Sequence, residues 1–536
     1  MDHGILSVVP AVLAIALAIW TRNVIVSLFG AVALAGIIHM GGNPVDGLIH
    51  ALGREATDPD GKAYISGLAG AIADYDHAKT MLFTVLIGAM VGVIGKSGAT
   101  RSLVEGLAAR AKSPQSVQIL SWISGLVVFF DDYANCMIVG SAMGPLCDRY
   151  KITRAKLAYI VDSTAAPVAS LALVSTWVGF EVGVVDEGLQ NALSDGLIES
   201  KIQAYGFFVQ GWPYRFYPIL AFLFVGMIAI TGRDFGPMLA DRSKAGDEDD
   251  EEEEEHDDLA PYWVAIVPVA TLILVTLAVL YQTGSAELPP GAKLFEVLAN
   301  ADGYGAIVQG SFCALFLACL FVLATRSMNL KETTEAALGG MKIMFEALII
   351  LLLAWSLSSA MKELGAPAYL VKVLGPTLPA WSLPTVTFLV GSAISFAVGS
   401  SYATMGIMMP MVVPLAFKLS PGGDMTIPLA ASGSVLAGAC FGDHCSPISD
   451  TTVLSAIGSG SELLDHVRTQ LPYAVTIGII SVVCGTFPAA FGINPWLCLV
   501  GGMAAGYAAL RYLGKSESTV DSRQSTEKAR ESPADA

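Results

Sequence analysis

The sequence predicts an all-α, polytopic membrane protein made of two inverted-topology repeats with re-entrant hairpins and discontinuous helices. Three observations carry that prediction. The 536 residues are 54% hydrophobic and 14% charged, with a mean hydropathy of +0.61. Their apolar residues form solid blocks close to the roughly 20 residues that span a bilayer as helix, not the alternation of a membrane barrel. The second observation is internal likeness. Asp131–Leu146 (DDYANCMIVGSAMGPL) aligns without a gap on Ser400–Leu415 (SSYATMGIMMPMVVPL), matching Tyr133 to Tyr402, Ala134 to Ala403, Pro145 to Pro414 and Leu146 to Leu415. Weaker echoes flank it in the same order: Gly98-Ala99 with Leu103-Val104 against Gly365-Ala366 with Leu370-Val371, and STAAPVAS at 163–170 against DHCSPISD at 443–450. The third is a set of polar breaks inside apolar sequence, the longest being FGDHCSPISDTTVLSA at 441–456. Carboxylates are rare in hydrocarbon unless they face a cavity, a partner or an ion.

The elements follow in order. Residues 1–78 hold an apolar hairpin, near 5–20 and 24–40, and a loop. The start MDHG has no basic n-region, so the hairpin reads as retained and not as a cleaved signal. Residues 79–240 form the first repeat, with apolar segments near 81–96, 117–130, 134–148, 157–178 and 216–231. Residues 241–259 are an acidic loop, and 260–341 supply connecting spans near 260–281 and 305–325. Residues 342–511 form the second repeat, with segments near 342–361, 384–399, 403–419, 425–441, 471–490 and 493–511. Residues 512–536 read as a disordered tail. About 11–14 full crossings are expected, the shortest segments being re-entrant hairpins instead.

The net charge of −17 is misleading. DEDDEEEEEHDD at Asp247–Asp258 carries eleven of the acidic groups, and such a run usually stays solvated and disordered. Basic residues cluster at Arg22, Lys96–Lys112, Arg149–Lys156, Arg233–Lys244, Arg326–Lys342 and the tail. These connections are expected in the cytoplasm, and the loops 41–79, 179–215 and 282–304 outside. By that count the repeats start from opposite sides, the construction of secondary transporters with midplane sites at broken helices. Eight cysteines without a CxxC pair give no disulfide or zinc framework. Gly502 and Gly506 form a small-xxx-small motif, weak evidence for a homodimer. Nothing indicates nucleic-acid binding, a resident cofactor or enzymatic catalysis; membrane lipid is the expected surrounding.

Four breaks carry the chemistry: Asp131–Asn135, Asp162–Pro167, Gly399–Thr404 and Gly442–Thr452. Each offers carboxylates, hydroxyls, amides or freed carbonyls, the hard oxygen ligands of a small cation. Lys and Arg are absent from all four, which favours a cation over an anion. A buried carboxylate binds either a proton or a cation, so competition there gives exchange. Structural readings stand beside these. Asp131 or Asp132 could cap the following segment, Asp450 could cap Thr451–Ile457, and His444 could be a hydrogen-bonded core residue.

GDHCSPISDTTVLSA at 442–456 resembles the signature of the NhaC family of sodium/proton antiporters, and DDYAN at 131–135 with Asp162-Ser163-Thr164 is similar to that family's earlier motifs. The resemblance implies the inverted-repeat fold of the ion-transporter superfamily, a multi-pass location in a bacterial inner membrane, and exchange of sodium or lithium for protons. Some relatives couple sodium or protons to amino acids or small carboxylates, which is the alternative. The candidate cation and proton sites are Asp162, Asp443 and Asp450, with Asp131 and Asp132. Supporting ligands are Asn135, Ser163, Thr164, Ser401, Thr404, His444, Ser446 and Thr451. Asp162, Asp443, Thr164 and Ser446 form a candidate sodium set.

Overall fold

The computed structural model describes residues 3–21, 23–57, 63–241, 259–286, 288, 297, 301–366, 369, 373, 378–420 and 422–516. The acidic run 247–258, the tail beyond 516 and the Leu370-Val371 echo lie outside the described residues.

Helices Val9–Thr21 and Val24–His39 form the N-terminal hairpin. Asn23 ends the turn between them, its side chain accepting from Val26 N at 3.0 Å. Asn43 caps Pro44–Leu52 in the same way. A small antiparallel ribbon pairs Glu55–Thr57 with Ala63–Ile65. The long helix Tyr75–Lys96 then packs on Gly303–Ala324 and Leu330–Ile343. A Cβ at Gly340 would stand 2.0 Å from Gly88 O, so this crossing depends on glycine for backbone-to-backbone contact.

The likeness between 131–146 and 400–415 reappears as matching local structure. Pro114–Val127 turns tightly into Asp132–Arg149, as Leu383–Val398 turns into Ser401–Leu419. Asp131 Oδ1 accepts from Ala134 N at 2.7 Å, and its aligned residue Ser400 accepts through Oγ from Ala403 N at 3.4 Å. Both are N-caps bonded three residues ahead. Each turn is followed by an interrupted helix. Arg154–Thr164 breaks at Ala165 before Ala166–Leu171 and Thr176–Ser194, and Thr426–Cys445 breaks before Asp450–Ser459 and Leu463–Ile480.

The two sets interlock. Asp450–Ser459 packs on Asp132–Arg149 and Arg154–Thr164, while Thr176–Ser194 packs on Ser401–Leu419. This long-range packing is consistent with inverted repeats.

Among the described residues eight helices are long and apolar enough to cross a membrane, or nine if Arg154–Leu171 and Thr176–Ser194, bent by 47°, count as one span. That is fewer than the sequence suggests, for physical reasons. Pro114–Val127 has only 14 residues, and Asp132–Arg149 carries two aspartates and an arginine within 18. Val9–Ala18, Val24–His39 and Phe216–Thr231 are apolar but short. The spans bear exposed apolar side chains such as Leu274, Phe312, Phe316 and Ile479, as expected of surfaces solvated by lipid.

Gly502 and Gly506 do not face outward. A Cβ at Gly502 would meet Leu220 at 2.8 Å, and one at Gly506 would meet Phe224 at 3.5 Å. The motif packs Pro495–Leu513 against Phe216–Thr231 of the same chain, so it gives no support to a dimer.

Candidate ion-binding site

The helix breaks assemble two polar groups, one around a single carboxylate and one with four. The inner group centres on Asp162, which is fully buried near the end of Arg154–Thr164. Its Oδ2 accepts from Gln470 Nε2 at 2.6 Å and from Thr452 Oγ1 at 3.3 Å, and Oδ1 accepts from Ser455 Oγ at 3.4 Å. His466 Nε2 lies 3.3 Å from Oδ2, and His444 Nε2 lies 3.8 Å from it. The His444 ring is held at both nitrogens, with Ser163 Oγ 3.1 Å from Nε2 and Tyr217 OH 2.6 Å from Nδ1. The first repeat thus supplies the charge and the second supplies most of its donors. A buried carboxylate persists only with such partners, because each unmade bond leaves its desolvation uncompensated.

The outer group is a set of neighbouring carboxylates. Asp132 lies within electrostatic range of Asp131 and Asp450, and Asp443 within range of Asp450 and Asp162. Asp131, Asp132 and Asp443 are at most 5% exposed, while Asp450 is exposed. Tyr133 OH donates to Asp450 Oδ2, joining the first turn of Asp132–Arg149 to the second repeat's break. Ser401 and Ser449 lie beside Asp443. Its Oδ1, Asp131 Oδ2 and Asn135 Oδ1 are buried acceptors without a hydrogen-bond partner among the described residues. Such oxygens suit a dehydrated cation, which replaces lost water with hard donors.

Other candidate residues build the walls. Asn135 Nδ2 donates to Gly125 O at 2.7 Å and Thr164 O at 2.9 Å, tying the turn to the helix break. Thr164 Oγ1 turns back to Ile160 O and Val161 O, and Thr404 Oγ1 donates to Ser400 O. Ser401 donates to Ala439 O, and Ser446 to Phe396 O at 2.8 Å. Thr451 Oγ1 lies 3.0 Å from Ser449 Oγ, and Thr451 N donates to Asp450 Oδ1. Asp450 is the first residue of its helix and Ser449 the N-cap, while Asp131 is an N-cap outright. No direct contact joins Thr164 or Ser446 to Asp162 or Asp443 among the hydrogen bonds of the described residues.

Sequence reasoning missed His466, Gln470, Tyr217, Thr452 and Ser455 as partners. One signal was present: His466 and Gln470 stand four apart on Leu463–Ile480, hence on one face of that helix. Two buried ion pairs were also missed. Arg215 NH1 lies 3.2 Å from Glu181 Oε2 and donates to Ser170 O at 2.6 Å. Lys156 pairs with Asp234, which also accepts from Tyr473 OH at 2.7 Å. Arg215 is thus committed to Glu181 and to backbone carbonyls, including Phe208 O at 3.3 Å.

Comparison with known proteins shows the family and the fold. An uncharacterised protein of Haemophilus influenzae is 31% identical over 480 residues, covering 89% of each chain. The Na(+)/H(+) antiporter NhaC of Alkalihalophilus pseudofirmus is 31% identical over 31% of this chain and 36% of its own. The malate-2H(+)/Na(+)-lactate antiporter of Bacillus subtilis is 34% identical over 19% of this chain and 20% of its own. The solved YdaH transporter of Alcanivorax borkumensis has the same fold, with a TM-score of 0.56 at 15% identity over 88% of this chain and 99% of that one. The Na+/H+ antiporter family model matches residues 168–487, which include the 442–456 run and the Asp162 partners Thr452, Ser455, His466 and Gln470. With the fold, the interlocked broken helices and this match together, the chain belongs to the Na+/H+ antiporter family and is a multi-pass secondary transporter.

Proposed function

We propose that the protein exchanges sodium or lithium for protons by alternating access, in the manner of NhaC-type antiporters in a bacterial inner membrane. The observation that carries this reading is the pairing of a sealed, hydrogen-bonded Asp162 with neighbouring Asp131 and Asp443, each of which keeps one buried oxygen with no hydrogen-bond partner among the described residues. In this reading Asp132, Asp443 and Asp450 take the cation, with Asp131, Asn135, Ser401 and Ser449 beside them. Asp162 holds the proton-coupled charge, with His466 and His444 adjusting its field. The cation and a proton compete for Asp132, Asp443 and Asp450, which feel the charge of Asp162 through Asp443, so each releases the other as the site changes sides. This replaces the four-residue sodium set with a larger one, because the Thr164 and Ser446 hydroxyls donate to backbone.

The second reading is coupling to a small organic acid or amino acid. The partial likeness to the malate/lactate antiporter favours it. The commitment of Arg215 to Glu181 removes the one deeply buried guanidinium among the described residues that could hold a carboxylate cargo.

Reconstitution separates the two. The protein is placed in liposomes with an imposed pH gradient, and sodium, lithium, potassium, malate, lactate or arginine is added singly. Proton flux driven by sodium or lithium alone supports cation exchange. Flux that requires an organic solute sinks it.

A further inference from the structure

We propose that His39, His50 and Glu363 form a binding site for a divalent transition-metal cation, zinc being the best match, that fastens the N-terminal hairpin to the second repeat. The site stands apart from the carboxylate centres and does not depend on what the protein transports. His39 ends Val24–His39, His50 lies on Pro44–Leu52, and Glu363 ends Phe345–Glu363. One ligand atom from each lies within 4.8 Å of the other two. His50 Nε2 is 2.7 Å and His39 Nδ1 3.9 Å from Glu363 Oε2. These spacings bracket the roughly 3.3 Å between ligands that zinc at about 2.0–2.1 Å requires in a tetrahedron. The imidazoles stack with centroids 4.5 Å apart.

A second observation points to a ligand. His39 Nδ1 and Glu363 Oε1 are buried atoms with no hydrogen-bond partner among the described residues. Two imidazoles and a carboxylate are the donor set that borderline-soft zinc prefers, and it leaves a fourth position for water. Sodium would not choose imidazole. Phe345–Glu363 also packs on Ser401–Leu419, so a metal here restrains a helix that borders the carboxylate centre.

The test uses the full chain with any affinity-tag histidines removed, stripped by chelator in detergent, and titrated with zinc chloride alone by calorimetry. Cobalt(II) absorption reads the ligand type. The expected result is one equivalent bound, a rise in melting temperature with zinc, and visible cobalt bands without thiolate charge transfer. His50→Ala and Glu363→Gln should each weaken zinc by at least about tenfold and remove the melting shift. Glu363→Gln keeps the volume and a hydrogen bond to His50, so it decides the matter if His50→Ala fails to fold. Absence of binding, equal affinity in the folded variants, or cobalt–thiolate absorption from the cysteines would overturn the proposal.

Discussion

Asp162 concentrates the chemistry at the scale of single residues. Its two oxygens meet donors from three side chains of the second repeat, with two imidazoles close by. Asp162→Asn removes the charge while keeping the volume. We predict folded protein whose sodium/proton exchange in liposomes falls by at least about 100-fold, the scale of losing a charge-dependent step worth about 2.7 kcal/mol. Gln470→Ala leaves Asp162 without its shortest bond and takes a donor from His444 O. It should lower stability by about 1–3 kcal/mol, read as an earlier thermal unfolding transition, with exchange weakened and not abolished. Asp162 was legible in the sequence because a carboxylate in an apolar block has no cheap explanation. His466 and Gln470 were not, since residues 304 and 308 positions away are joined only by the fold.

Elements meet at this depth because glycine lets them. A Cβ at Gly438 would stand 2.5 Å from Phe388 O, and one at Gly442 2.3 Å from Ser392 O. These two glycines seat Thr426–Cys445, which carries Asp443 and His444, directly on Leu383–Val398. Gly438→Ala and Gly442→Ala should each cost about 1–3 kcal/mol through overpacking, seen as lowered melting temperatures. Exchange should drop more for Gly442→Ala, the substitution next to Asp443. Asn135→Ala should loosen the first turn in the same way, by removing bonds to Gly125 O and Thr164 O. The breaks were readable because proline, glycine and polar residues interrupt apolar runs. The number of full crossings was less so. Hydropathy marks 117–130 and 134–148 as candidate spans, but the turn at Asp131 makes them a short helix and a charged one. The Gly502 motif shows the same limit, since spacing identifies a packing face but not its partner.

The whole molecule works through its duplication. Each set of broken helices completes the other's polar centre, as Asp450–Ser459 does for Asp162 and Tyr133 does for Asp450. The aligned tyrosines have diverged. Tyr133 binds Asp450, whereas Tyr402 sits among Trp177 and Phe180. The sequence already hinted at this inequality, because the second copy carries Asp443 and Asp450 where the first has Ser163 and Ser170. The central claim is that protons and sodium compete for these shared carboxylates. Protonation fills them below their pKa, so the sign is fixed: sodium binding must weaken as pH falls. The direct measurement is sodium binding to the purified protein by calorimetry across a pH series, in buffers of different ionisation enthalpy. Proton release on binding is expected, with an affinity that falls toward about tenfold per pH unit on the acid side and binding lost in Asp443→Asn. Sodium affinity that does not change with pH, or proton release undiminished in Asp162→Asn with Asp443→Asn, would contradict it.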